Sequence, residues 1–118
     1  MTSKWYSGHY PVTDHKHLHY LFIESEHKPE TDPVLVFFNG GPGGASITLA
    51  FRGLGTLMSG KTEEGLFNLT PFNNSWCSNA SLIFLDNPAG VGFSYAERKI
   101  DDFHNDLSFE KDGLAFMK

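Results

Sequence analysis

An α/β fold built on a mixed sheet is what the sequence predicts, from three observations. Two β-rich runs, Gly8–Val12 and Leu18–Ile23, stand either side of the turn-like Thr13–Lys16. Two further runs, Val34–Phe38 and Ala80–Leu85, are almost unbroken apolar sequence, the pattern of strands covered on both faces. Between them, Ser46–Leu57 carries apolar residues at helical spacing, although Gly53 and Gly55 weaken its second half.

The elements follow in order. The first pair reads as a hairpin. Polar residues from Glu24 to Pro33 form a surface connection, and Asp32-Pro33 sets extended geometry before Val34. Val34–Phe38 belongs in the centre of a sheet, and the helix after it carries the chain back. Ser59–Gly65, rich in Gly, Lys, Thr and Glu, reads as a loop, and Ala80–Leu85 as a second buried strand. Strand, helix and strand in that order imply a right-handed crossover within the sheet. From His104 onward, Leu107, Leu114, Phe116 and Met117 mark the start of a helix. No repeat, low-complexity tract or linker interrupts the sequence, so residues 1–118 form part of one domain.

Composition narrows the function. With 40% apolar residues, eleven phenylalanines and 19% charged residues, a core is affordable. The net charge of -5, with nine scattered Lys and Arg, argues against nucleic acid as a partner. No apolar run reaches the roughly 20 residues of a membrane span, and MTSKWYSGHY lacks the apolar centre of a secretory signal. The single cysteine, Cys77, permits no internal disulfide, yet three glycosylation sequons begin at Asn68, Asn73 and Asn79 and favour a secretory route.

The chemistry is concentrated where the first buried strand breaks into Asn39-Gly40-Gly41-Pro42-Gly43-Gly44-Ala45-Ser46. A phosphate loop would need Lys followed by Ser or Thr after its last glycine. A dinucleotide loop read from Gly41 would need Gly or Ala where Ser46 stands. Neither fits. A loop whose N–H groups face a developing oxyanion does fit, because side chains there would block the substrate carbonyl. A tight strand-to-helix turn with no ligand accounts for the same residues.

Asn39-Gly40-Gly41-Pro42-Gly43 with Ala45-Ser46, His17–Ser25, Ser75-Trp76 and Leu85–Tyr95 together resemble the serine carboxypeptidases along nearly the whole chain. The resemblance implies the N-terminal portion of an α/β-hydrolase fold, incomplete here: hairpin, buried strand, helix, buried strand. It implies hydrolysis of C-terminal residues from peptides, without a cofactor. The Gly41 N–H would help form the oxyanion hole, and Asn39 and Gly40 would bind the substrate's terminal carboxylate. It also implies a lysosomal, vacuolar or extracellular location, and two partners: peptide or protein C-termini and the remainder of the carboxypeptidase chain. Three features depart from the family pattern. Its Gly-Glu-Ser-Tyr-Ala-Gly nucleophile motif does not occur in these 118 residues, nor do the later aspartate and histidine positions. Gly44 replaces a disulfide-bonded cysteine. Gly53 replaces a glutamate that takes part in acid-dependent carboxylate binding. The departures keep open a non-catalytic module that binds peptide ends, and a family acyltransferase.

Two decoys need separate readings. Gly92-Phe93-Ser94-Tyr95-Ala96 resembles a nucleophile elbow, but Glu97-Arg98-Lys99 follows it instead of an apolar helix, so Ser94 is read as packing. His15, His17 and His19 alternate on one strand face, within reach of a metal, but with Lys16 adjacent and no cysteine near they read as an ordinary strand surface.

Overall fold

The computed structural model describes residues 3–41, 43–99 and 104–118. The expected hairpin is present and longer than its sequence signal. β1 (Trp5–Pro11) runs antiparallel to β2 (Lys16–Ile23), with Trp5 opposite Ile23 and Pro11 opposite His17. The second buried strand, β6 (Ser81–Leu85), lies antiparallel to β2 and parallel to β3 (Val34–Phe37). The sheet order is therefore β1-β2-β6-β3, a mixed α/β sheet as expected.

Alternation along these strands sorts their side chains onto two faces. Leu21, Ile23, Leu82 and Phe84 point to one face. There they meet Leu35, Phe37, Ile47, Leu49, Phe51 and Leu54 around the buried Cys77 and Ala80. Phe84 stacks on Phe37 with ring centroids 5.4 Å apart. Leu18 and Leu85 point to the other face and pack with Tyr20, Val36, Ala89 and Phe116. That second face is only partly covered. The C-terminal helix, α2 (Asp106–Met117), reaches it through Phe116 against Tyr10 and Tyr20. A cleft of about 580 Å³ between Tyr6, Phe22 and Ile83 stays open.

Three sequence expectations need correction. β3 is an outer strand among the described residues, with Val34 52% exposed, because only β6 pairs with it. Its apolar run reflects what a central strand needs, and that cover is not supplied by the described residues. The helix expected over Ser46–Leu57 is a single turn, α1 (Ile47–Ala50). Glycine ends it: Gly53 sits at φ +104°, and a Cβ on Gly55 would lie 2.3 Å from the Ala50 carbonyl. The stretch read as a loop, Ser59–Gly65, holds the end of one strand and the turn of a second hairpin. β4 (Leu57–Lys61) pairs antiparallel with β5 (Phe67–Pro71), and the turn closes through Thr62 N–H to Leu66 O with Gly65 at φ +80°. Its signal was weak, since Ser59, Gly60 and Lys61 are poor strand formers. Finally, β7 (Tyr95–Ala96) rejoins β2 beside Lys16 and His17.

β6 and β7 thus lie end to end along the same edge of β2. Residues 86–94 leave the sheet between them and return. The glycine loop 39–46 stands at the end of β3 beside that excursion, and both emerge at the C-terminal ends of the parallel pair, where α/β sheets place their ligands.

Candidate functional site: a glycine loop pinned to a buried aspartate

The side chain that organises the site is Asp86, the first residue after β6 and fully buried. One carboxyl oxygen accepts from Ile47 N–H at 3.1 Å, at the start of α1. The other faces His19 Nδ1 at 3.0 Å and accepts from Phe93 N–H at 3.4 Å. Asp86 therefore joins β2, β6, the start of α1 and the 86–94 excursion at one point. A buried carboxyl group costs much free energy unless its oxygens are satisfied, and here three donors satisfy them. Gly92 makes the approach feasible, because a Cβ there would lie 2.4 Å from Asp86 Oδ2.

Ser94 is held in the same knot. It is buried; its hydroxyl donates to the Asp86 carbonyl and accepts from His19 N–H at 2.7 Å. Serine, histidine and aspartate thus meet in space, but not as a catalytic triad. The hydroxyl bonds to backbone groups, and the imidazole contact to Asp86 has no serine on its far side among the described bonds. His19 Nδ1 faces Asp86, while its ring packs edge-on against Phe93 with centroids 5.2 Å apart. The elbow-like sequence is a packing device, as its flanking residues imply.

Within the glycine loop, Asn39 holds the geometry. Its N–H donates to Ser46 Oγ at 2.9 Å and its side-chain amide to Ala45 O at 3.2 Å, while its side-chain oxygen accepts from Gly40 N–H at 2.9 Å. Thr48 Oγ1, which donates to Ala45 O at 2.7 Å, lies 3.5 Å from the same amide. Gly41 is exposed at φ +142°, and its N–H donates to no described group. Gly44 is tightly enclosed: a Cβ there would stand 2.5 Å from Gly40 O and 2.9 Å from Asn39 Nδ2. A cysteine at Gly44 would therefore displace the loop. At Gly53 there is space, since the nearest atom to a Cβ is Met58 Cε at 3.6 Å, but the left-handed φ disfavours any side chain.

The alternating histidines find carboxylates. His17 Nε2 and His15 Nδ1 face the two oxygens of Glu97 at 3.0 and 3.4 Å, and His17 stacks on Tyr95 at 4.8 Å. This pair of contacts fastens β7 to β2, together with Glu97 N–H to His15 O at 2.7 Å. Nearby, Lys16 reaches Asp112 of α2 at 2.9 Å in a largely buried ion pair. Hydrogen bonds from His17, and then His15, hold the Glu97 carboxyl below the usual carboxylate range. Burial pushes the Cys77 thiol up, so it is a packing residue and not a nucleophile.

Comparison with known proteins decides the family, for the serine carboxypeptidase family model matches residues 1–118. The chain belongs to the serine carboxypeptidase family. Carboxypeptidase Y of Candida albicans is 41% identical over 118 residues, which is 99% of this chain and 20% of that protein. A vacuolar serine-type carboxypeptidase of Saccharomyces cerevisiae is 42% identical over 99 residues, 84% of this chain and 19% of that one. The chain thus spans about a fifth of the length of these curated relatives. Among solved structures, Kex1(delta)p, a prohormone-processing carboxypeptidase from Saccharomyces cerevisiae, superposes with a TM-score of 0.74 at 21% identity. The match covers 98% of this chain and 27% of that one. The fold of this carboxypeptidase-family chain is accordingly an incomplete α/β-hydrolase sheet.

Three expectations follow from the bonds above. Ser94→Ala leaves His19 N–H and the Asp86 carbonyl unpaired and should cost about 1–3 kcal/mol in urea unfolding. The unsubstituted chain should take up no fluorophosphonate label, and labelling lost in Ser94→Ala would refute the packing role. Glu97 has a depressed folded pKa, so its stabilising contribution is present above its ordinary value of 4.5 and disappears as pH falls through the folded value. The melting temperature of Glu97→Gln should therefore fall below that of the parent chain at pH 6, with the gap narrowing as the pH is taken below 4.5.

Proposed function

We propose that this chain serves a serine-type carboxypeptidase, supplying the oxyanion donor and the loop that binds the substrate's terminal carboxylate. The nucleophile, aspartate and histidine then come from the remainder of a carboxypeptidase chain packed against it. The observation that carries the reading is the Gly41 N–H, exposed and unbonded to any described group, in a loop whose Asn39 and Ile47 ends are both tied down. Catalysis by such a donor depends on its being fixed in advance at the place where negative charge develops. Ser46 Oγ and Asp86 provide that fixing.

In peptide hydrolysis from the C-terminus, the scissile carbonyl and the terminal carboxylate are separated by one residue. Adjacent donors in Asn39-Gly40-Gly41 can hold both, and so select the last peptide bond. In the unliganded loop the Asn39 amide is bonded to Ala45 O and the Gly40 N–H to Asn39 Oδ1. An incoming carboxylate exchanges these neutral bonds for charge-assisted ones, which are about twice as strong. The same partners, peptide C-termini and the remainder of the carboxypeptidase chain, would cover the open aromatic cleft and the outer edge of β3. A second reading, a non-catalytic module that binds peptide ends, gains support from Gly44, where the enclosed backbone leaves no room for a side chain.

The secretory or vacuolar location is likewise our proposal. Asn73 and Asn79 are exposed, and Asn68 is half-buried on β5, so each sequon sits at or near the surface.

Putting the chain in place of the fifth of the Candida relative that it matches should yield an enzyme that cleaves blocked dipeptides with a free C-terminus. In that fusion Asn39→Ala should raise KM about tenfold and also lower kcat, because the same side chain binds the carboxylate and fixes the loop that carries the Gly41 N–H. An inactive but folded fusion would favour the non-catalytic module. Expressed in a secretory host, the chain should run above 13.2 kDa and shrink on removal of N-glycans; an unchanged mass would refute the location.

A further inference from the structure

Beside the Asn39 loop, on the face of α1 that carries Thr48, lies a cleft of about 330 Å³. Thr48, Phe51, Arg52, Ser59, Phe67 and Leu69 line it. Its walls come from two places that the sequence does not obviously bring together: the turn after α1 and the second hairpin. Ser59 fixes their separation, since its N–H and its hydroxyl both donate to Phe51 O, at 2.9 and 3.0 Å. The walls are aromatic and aliphatic, with two hydroxyl-bearing residues. Arg52 is the one charged residue among the six.

Arg52 has no ion-pair or hydrogen-bond partner for its guanidinium among the described residues, in a chain whose net charge is -5. The other described lysine and histidine contacts to carboxylates run to Asp112, Glu97, Asp86 and Asp32, all away from this cleft. A guanidinium presents five donors in a fixed fork that matches a carboxylate. The cleft adjoins the loop through Thr48, whose hydroxyl stands 3.5 Å from the Asn39 amide. Through Thr48, the cleft is the recess next to the Asn39 amide, the proposed seat of the substrate's terminal carboxylate.

We propose that the cleft receives the side chain of the substrate's C-terminal residue and that Arg52 selects for an acidic one, aspartate or glutamate. The inference rests on the reading of Asn39 and Gly40 as carboxylate binders and adds the substrate class to it. Phe51, Phe67 and Leu69 cover the methylene groups, and the carboxylate meets Arg52 at the mouth. Since Arg52 is exposed, solvent screens the pair, and the discrimination is modest and sensitive to salt.

The test is direct binding of four blocked dipeptides to the 118-residue chain in low salt: acetyl-Phe-Glu, acetyl-Phe-Gln, acetyl-Phe-Leu, and acetyl-Phe-Glu with an amidated C-terminus. The glutamate peptide should bind about three- to tenfold more tightly than the glutamine peptide, with the gap narrowing at 0.5 M salt. Arg52→Gln should remove the gap, and Arg52→Glu should reverse it, both with an unchanged melting temperature because the side chain touches no described polar group. Equal binding of the glutamate and glutamine peptides, with the free C-terminus still required, overturns the role of Arg52 alone. Equal binding of the acid and amide forms overturns the carboxylate reading on which it rests, and the inference with it.

Discussion

The carboxyl group of Asp86 is the constraint on which the rest of the structure depends. It sits where β6 ends, fully buried, and its oxygens are claimed by the first N–H of α1, by a β2 imidazole and by the 86–94 excursion. Removing any one of those donors would leave a buried polar group short of a partner, a cost of about 1–3 kcal/mol. The position of the glycine loop follows from this knot. Its N-terminal end continues β3, its C-terminal end is held by Asp86 through Ile47, and the exposed Gly40 and Gly41 lie between two fixed points. A loop tied only at its strand would have to be ordered by substrate, at the expense of affinity and rate.

Much of this was legible in sequence, for identifiable reasons. The β1–β2 hairpin and β6 announce themselves through β-branched, aromatic and leucine residues bounded by turn signals. The glycine loop announces itself by density of glycine at the end of an apolar strand. What escaped was decided by pairing instead of by residue type. Leu57–Lys61 contains a serine, a glycine and a lysine, and forms a strand only because Phe67–Pro71 lies opposite. Val34–Phe38 reads as central because its composition suits two covered faces, whereas the described residues pair only one of its edges.

At the proposed site, the sequence singles out residues without showing their present partners. Asn39, Gly40 and Gly41 stand together, yet nothing in the order of residues says that the Asn39 amide spans the loop to Ala45. Asp86 could be placed at a strand end, but its three donors come from residues 39, 67 and 7 positions away. Ser94 illustrates the same point in reverse: a tempting motif whose hydroxyl is consumed by backbone. The histidine alternation was visible as a pattern, while Glu97, some 80 residues distant, supplied its meaning.

The enclosed glycine at position 44 bears on how the chain is made. With no side chain there, and with the one cysteine of these 118 residues buried in the core, this segment is folded without a disulfide of its own. Its loop is shaped by amide and hydroxyl bonds alone, which form as readily in a reducing compartment as in an oxidising one. The architecture of this corner is therefore indifferent to the redox state of its surroundings, and the glycine loop keeps its shape without a crosslink to guard.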